Sequence, residues 1–244
     1  MSPTRPTRPA SHVRAAGVTV RAPDGAALLD GINLSLTAGE LCVIAGRNGA
    51  GKTLLARCLA GIIKPDKGRV IAEGSRPALV FQDTRSQILG QTVAEDVSLG
   101  PRSAGLPAHA IDRRVADALA RTGLEELSRR DPLTLSGGEQ RRLSVAALLA
   151  LDPGILILDE PFASLDYEGV REVLSVVLEL RARDVGVTVI THDLEKVLAH
   201  ADRLVLLNGG RLRADDTPAA VIPGARSCGL RPPRGPVEEM TWLD

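Results

Sequence analysis

The chain has 244 residues, of which 44% are apolar, 2% aromatic, 30 basic and 30 acidic. That length suits one large α/β domain with a substantial core. The balanced charge excludes a global electrostatic attraction to nucleic acid, and so few aromatics exclude a base-stacking platform for single strands. Cys42, Cys58 and Cys228 have neither metal nor redox spacing, so they read as small core residues in a reducing compartment. Residues 1–16 are rich in Pro, Arg and Thr and lack an apolar run, which predicts a short disordered lead (residues 1–12) rather than a secretory signal. No apolar stretch reaches the ~18 residues that span a bilayer, so in any membrane process a separate chain must do the crossing.

In chain order, residues 18–20 and 28–36 alternate around an Ala22-Pro23-Asp24-Gly25 turn and predict antiparallel strands ahead of the core. Residues 40–45 form an apolar strand, followed by a glycine-rich turn and a helix ending near Gly61. Residues 69–72 and 77–81 read as further strands, and a polar loop at 82–87 follows them. From residue 93 to 127 the pattern turns helical, with Ile111, Val115, Ala118, Leu119 and Leu124 near 3.6 periodicity and Pro101 and Pro107 as punctuation. This segment separates two strand-rich blocks and reads as an inserted helical subdomain of about residues 83–150.

A helix opens at the Leu135-Ser136-Gly137-Gly138-Glu139-Gln140 stretch and runs to Leu149. Residues 155–158 are wholly apolar, as expected for a strand of a parallel sheet covered on both faces. A helix over 167–182, a β-branched strand over 185–190, a helix over 194–201 and a hairpin about Asn208-Gly209-Gly210 complete the domain. The last stretch, residues 222–244, is rich in Pro, Gly and Arg and predicts a tail that is poorly ordered or docks on a partner.

Chemistry centres on Gly46, Arg47, Asn48, Gly49, Ala50, Gly51, Lys52 and Thr53, which fit G-x-x-x-x-G-K-[ST] between a strand and a helix. Glycines let backbone N–H groups approach phosphate oxygens, and the helix start points its positive end at them. Lys52 supplies a charge for the β- and γ-phosphates, and the Thr53 hydroxyl is placed for Mg²⁺. Asp159 and Glu160 end a buried strand, the edge at which open α/β sheets bind ligands. Asp159 fits the Mg²⁺ side and Glu160 the polarisation of an attacking water. On residue type alone, Gln82 reads as a solvated loop amide and His192 as a capping or satisfied histidine. Likewise Ser136 is equally an N-cap with Glu139 in capping-box position, as well as part of an anion nest with Gly137 and Gly138.

The segments GRNGAGKT, LSGGEQ, ILILDEP and THD, in this order, resemble the nucleotide-binding subunit of ATP-binding-cassette (ABC) proteins over residues 13–221. The resemblance implies an α/β phosphate-loop ATPase core with a mostly parallel sheet, an N-terminal antiparallel β subdomain and an inserted helical signature subdomain. It implies ATP and Mg²⁺ as cofactors, with Thr53, Gln82 and Asp159 on the metal side. Gln82 becomes the loop glutamine that senses Mg²⁺ and the membrane partner, and His192 the switch histidine on the γ-phosphate. Leu135, Ser136, Gly137, Gly138, Glu139 and Gln140 become the signature that meets ATP held by a second subunit. Residues 163–166, ending in Asp166, match the loop that crosses that dimer interface.

More narrowly, VFQD, SQIL, TVAEDV and Gly100-Pro101 resemble the ATPase of energy-coupling-factor vitamin and metal importers. That implies a homodimer or heterodimer of ATPases at the cytoplasmic face of the cell membrane, working with a transmembrane coupling protein and a substrate-binding membrane protein. The other readings are the ATPase of another class of ABC transporter and a soluble ABC ATPase acting on ribosome or DNA; a single cassette, no heptads and balanced charge disfavour the soluble one. The presence of Glu160 and His192 disfavours a cassette that binds ATP without turnover. One departure concerns the adenine region: the family usually has an aromatic residue where this chain has Ala22, beside Arg21. Either base recognition is weaker here or Arg21 stacks in its place.

Overall fold

The computed structural model describes residues 11–81, 87–233 and 235–243. A six-stranded sheet forms the centre, in the order β5 (Ala78–Val80), β6 (Ile155–Asp159), β7 (Gly186–Thr191), β3 (Leu41–Ala45), β8 (Arg203–Asn208) and β9 (Arg211–Asp216). All its pairings are parallel except β8 with β9, the hairpin read from Asn208-Gly209-Gly210. Side chains alternate across a strand, and here both faces are covered. Val43, Leu156, Leu158, Val187, Val189, Leu204 and Leu206 enter one core, while Cys42, Ile44, Ile155, Ile157, Val205 and Leu207 enter the other. That is why β6 is apolar throughout rather than alternating.

The second core is closed by α1 (Lys52–Leu59) and by a three-stranded antiparallel sheet in the order β2 (Ala27–Thr37), β1 (His12–Arg21) and β4 (Lys67–Glu73). The N-terminal β subdomain is therefore present, with β1 longer than its alternating residues 18–20 showed. On the first core lie the helical arm and α5 (Tyr167–Ala182). The arm comprises α2 (Val93–Ser103), α3 (Ala108–Thr122) and α4 (Gly137–Leu149). Pro101 does not stop α2; it sits inside the helix, two residues before the end, at the loss of the one main-chain bond that an N–H there would make.

Two expectations change. Residues 194–201 do not form a helix: only the 3-10 turn Leu198–His200 is regular. Burial of Leu194, Val197 and Leu198 and a 2.8 Å hydrogen bond between His200 Nε2 and the Thr241 carbonyl set the path instead. The described residues after 221 pack on the core rather than forming a loose tail. Val221, Ala225, Cys228 and Leu230 are buried in the first core, and Val237, Trp242 and Leu243 pack against it. Trp242 lies 5.6 Å, centroid to centroid, from Tyr167 at the start of α5. Apolar residues spaced among prolines escaped a reading based on composition.

Candidate nucleotide site

Register brings the site together at the carboxyl ends of three neighbouring strands. Ala45 of β3 pairs with Thr191 of β7, and Asp159 of β6 pairs with Ile190. The phosphate loop leaves β3, Glu160 leaves β6 and His192 leaves β7, so residues far apart in sequence converge. Two glycines show why the loop needs them. A Cβ on Gly46 would fall 2.3 Å from the Leu207 carbonyl oxygen. Gly51 caps α1 at φ 100°, a conformation that side chains disfavour.

The loop borders an open cleft of about 610 Å³ lined by Asn48, Gly49, Gly51, Lys52, Thr53 and Leu54, by Glu160 and His192, and by Ala27, Leu28, Gly209 and Gly210. Lys52 is almost buried. It donates to the carbonyls of Gly46 (2.7 Å) and Arg47 (3.2 Å) and lies 3.9 Å from Glu160 Oε1. Burial lowers its pKa, and Glu160 and Asp159 oppose that shift.

Glu160 sits at φ 49°, rare for a residue with a side chain, and its amide is pinned to the Ile190 carbonyl at 2.8 Å. Oε1 lies 2.8 Å from His192 Nδ1, and Oε2 accepts from Thr191 Oγ1 at 3.1 Å. Asp159 is 2% exposed, and its Oδ1 has no hydrogen-bond partner. Burial raises its pKa, opposed first by a hydrogen bond from Thr53. An orphan carboxylate oxygen beside a threonine hydroxyl, facing a phosphate loop, is a donor set for a hard cation that takes its remaining ligands from phosphate and water. Among the described residues no cluster of three or more His, Cys, Asp or Glu could hold a metal without such help.

The predicted signature is elsewhere: none of residues 135–140 lines this cleft. Ser136 caps α4 with a complete capping box. Its Oγ accepts from the Glu139 amide at 3.2 Å, and Glu139 Oε2 accepts from the Ser136 amide at 2.7 Å. Gln140 is buried and donates to the Leu135 carbonyl at 3.1 Å. Ser136 and Gly137 remain exposed at the helix start. Asp166 caps α5, accepting from the Gly169 amide at 2.9 Å. Gln82 lies outside the described residues. Arg21 and Ala22 do not line the cleft, and Arg21 Nη1 is held by the Gly25 carbonyl at 2.8 Å. Sequence reasoning assigned no role to Thr191 or Leu28. Thr191 was legible only as the end of the strand before His192.

A phosphate cradle, an acid pair at a strand end and a capped glycine pair on a separate helix define an ATP-binding cassette. The ABC transporter family profile matches residues 29–163, and the chain belongs to that family. It is 38% identical to the energy-coupling factor transporter ATP-binding protein EcfA of Methanothermobacter thermautotrophicus, over 87% of this chain and 74% of that protein. The cobalt import ATP-binding protein CbiO of Rhodobacter capsulatus is also 38% identical, over 90% and 84%. The solved structure of cbiO1 from Clostridium perfringens, part of the ABC transporter complex cbiONQ, superposes with a TM-score of 0.79 at 32% identity, covering 86% of this chain and 89% of that one. The chain is an ATPase, similar to the ATP-binding subunits of energy-coupling-factor and cobalt importers.

Proposed function

We propose that this chain hydrolyses Mg·ATP across a dimer interface to power import of a vitamin or transition-metal ion through a separate membrane protein. The observation that carries the reading is the convergence of Lys52, Glu160 and His192 on one cleft, with the unpartnered Asp159 oxygen beneath it. Backbone amides of residues 46–53 bind the phosphates, and Lys52 exchanges its bonds to the Gly46 and Arg47 carbonyls for phosphate oxygens. Thr53 and Asp159, with Gln82, hold Mg²⁺, which when bound neutralises charge on the β- and γ-phosphates. Glu160 Oε1 accepts the proton of the attacking water. Thr191 and His192 orient that carboxylate, and His192, exposed over about half its side chain, is free to turn to the γ-phosphate.

Ser136, Gly137 and Gly138 of a second subunit close the cage, because the first-turn amides of α4 have no helical carbonyl to serve. Residues 163–166 then cross the interface. The second subunit is another copy of this chain or a related ATPase, and the pair sits at the cytoplasmic face of the membrane. Among the described residues no helix is long and apolar enough to cross a membrane. The membrane partner docks on the helical arm near residues 82–96. There Leu89 is 78% exposed and Leu133 is 62% exposed, on segments joined by a 3.0 Å bond from the Val93 amide to the Arg130 carbonyl.

The test is ATP turnover by the subunit purified with its membrane partners, with Lys52→Ala and Glu160→Gln beside wild type. Turnover by Glu160→Gln at the wild-type rate removes the base assignment. Cysteines placed at Leu89 or Gln91 are expected to cross-link to a helix of the transmembrane partner; failure at both removes the docking surface. Identifying the vitamin or metal that co-purifies names the cargo.

A further inference from the structure

We propose that Trp242 is a positioning residue for the interface loop: through Tyr167 it holds residues 163–166 and, at their upstream end, the carboxylate of Glu160. The inference rests on the reading that this loop crosses to a second subunit. Tyr167 is the first residue of α5, directly after Asp166. It is 50% exposed, so burial alone does not fix its ring. Two neighbours do. Trp242 lies 5.6 Å away, centroid to centroid, with the planes tilted by 35°. The Arg171 guanidinium lies 5.6 Å from the Tyr167 ring centroid.

Trp242 is itself fastened on both sides. The Thr241 carbonyl accepts from His200 Nε2 at 2.8 Å, and the Leu243 carbonyl accepts from Arg171 Nη2 at 3.4 Å. Trp242 and Leu243 also pack against the first core. Between these anchors Trp242 stands at φ 57°, a conformation that side chains disfavour and that persists only where the surroundings over-determine it. Arg171 reaches both partners, the Tyr167 ring and the backbone next to Trp242, and so ties the C-terminal segment to the first turn of α5.

The loop upstream of Tyr167 has little slack to absorb a shift there. Glu160 stands at φ 49° and Ser164 at φ 61°, and the Ala163 amide donates to the Glu160 carbonyl at 3.1 Å. At the other end Asp166 Oδ1 accepts from the Gly169 amide at 2.9 Å. A Cβ on Gly169 would fall 3.0 Å from Asp166 Oδ1 and 3.4 Å from Leu165 Cβ, so the loop lies folded against the first turn of α5. A tilt of that turn therefore moves residues 163–166 and reaches the carboxylate that sits 2.8 Å from His192 Nδ1. None of Tyr167, Arg171 and Trp242 lines the nucleotide cleft. Trp242 thus acts on the geometry of the interface loop and not on the grip on ATP.

The experiment compares steady-state ATP turnover by wild type, Trp242→Ala, Trp242→Phe, Tyr167→Leu and the Trp242→Ala/Tyr167→Leu double variant, each full-length and in complex with its membrane partners. Trp242→Ala should lower kcat by about five-fold to ten-fold, with KM for ATP within about two-fold of wild type. Trp242→Phe keeps a ring on Tyr167 and should restore kcat to within about two-fold. Tyr167→Leu should lower kcat as Trp242→Ala does. The double variant should be no slower than either single one, because both changes remove the same contact. Wild-type kcat in Trp242→Ala, a rise in KM as large as the fall in kcat, or additive losses in the double variant overturns the proposal. Should Trp242→Ala fail to fold, Tyr167→Leu decides: lowered kcat at an unchanged melting temperature supports the positioning role, and wild-type kcat removes it. If Glu160→Gln with Mg·ATP stays monomeric, the reading of a loop that crosses to a second subunit falls first, and the proposal with it.

Discussion

On the proposed function the phosphate cradle and the start of α4 both meet an anion, yet they are prepared in opposite ways. The cradle is left unsatisfied. Asp159 keeps an orphan oxygen, Lys52 is desolvated and folded onto its own loop, and Glu160 is held at positive φ. The α4 start is braced around its first turn: the capping box is closed, Gln140 is bonded inward, Arg141 Nη1 reaches the Phe81 carbonyl at 3.1 Å, and Arg142 pairs with Glu172. The proposed dimer site would therefore join a half with an unpartnered polar atom to a half already held by its own hydrogen bonds. A site divided between two chains works best with one half of each kind, because only the half that holds the nucleotide has to reorganise.

The largest test of this contrast is Glu160→Gln. Its turnover should fall by about 10²–10⁴-fold in steady-state assays while ATP binding persists and a closed dimer accumulates, because only proton acceptance is lost. Gly137→Ala probes the rigid half. An added Cβ there would meet nothing closer than Leu165 Cδ2 at 3.6 Å, an ordinary van der Waals distance. The isolated chain should keep its melting temperature. Dimer-dependent hydrolysis should drop by about ten-fold or more, because the new methyl group holds the partner's phosphate away from the α4 amides. Equal loss of stability and activity would show that α4, rather than the interface, had been damaged.

Asp159→Asn probes the unsatisfied half. Burial raises this carboxyl's folded pKa, so its contribution to stability is fully present below the ordinary value of 3.8 and is lost as pH rises through the folded value. Removing the charge should raise the melting temperature of the ligand-free chain at neutral pH by about 2–4 °C, what ~1 kcal/mol is worth at this length. It should also flatten the pH dependence in that window and abolish the extra stabilisation that Mg²⁺ adds to ATP. Ser136→Ala should cost about 1 kcal/mol in denaturant unfolding, by opening the capping box. The smallest effect is Ala22→Tyr, expected to tighten ATP binding by about five-fold in calorimetry through stacking on the base. Unchanged affinity would show that Ala22 does not face it.

Most of the catalytic half was legible because its motifs are local. Loop, strand and helix around residues 46–53 follow each other in sequence, and α5 begins and ends where its periodicity does. What stayed hidden depends on register or on residues distant in sequence. Thr191 touches Glu160 only because β6 and β7 pair in parallel. Leu28 reads as one more strand leucine until the Gly209–Gly210 turn places it over the cleft. Gln140 belongs to a recognisable motif, yet its side chain turns into the core. The segment 194–201 has apolar residues at helical spacing, but packing and the bond to Thr241 took its backbone elsewhere.

That bond belongs to the closing strap of the molecule. Val221, Ala225, Cys228 and Leu230 complete the first core, and Leu243 reaches back to α5, where its carbonyl accepts from Arg171 Nη2 at 3.4 Å. Chains emerge from the ribosome amino end first. The antiparallel sheet and the phosphate loop are thus made early, and the part of the first core that Val221, Ala225, Cys228 and Leu230 close is covered only after the helical arm and α5 have been made. A truncation after residue 220 would spare every residue of the nucleotide cleft and still leave that part of the first core uncovered.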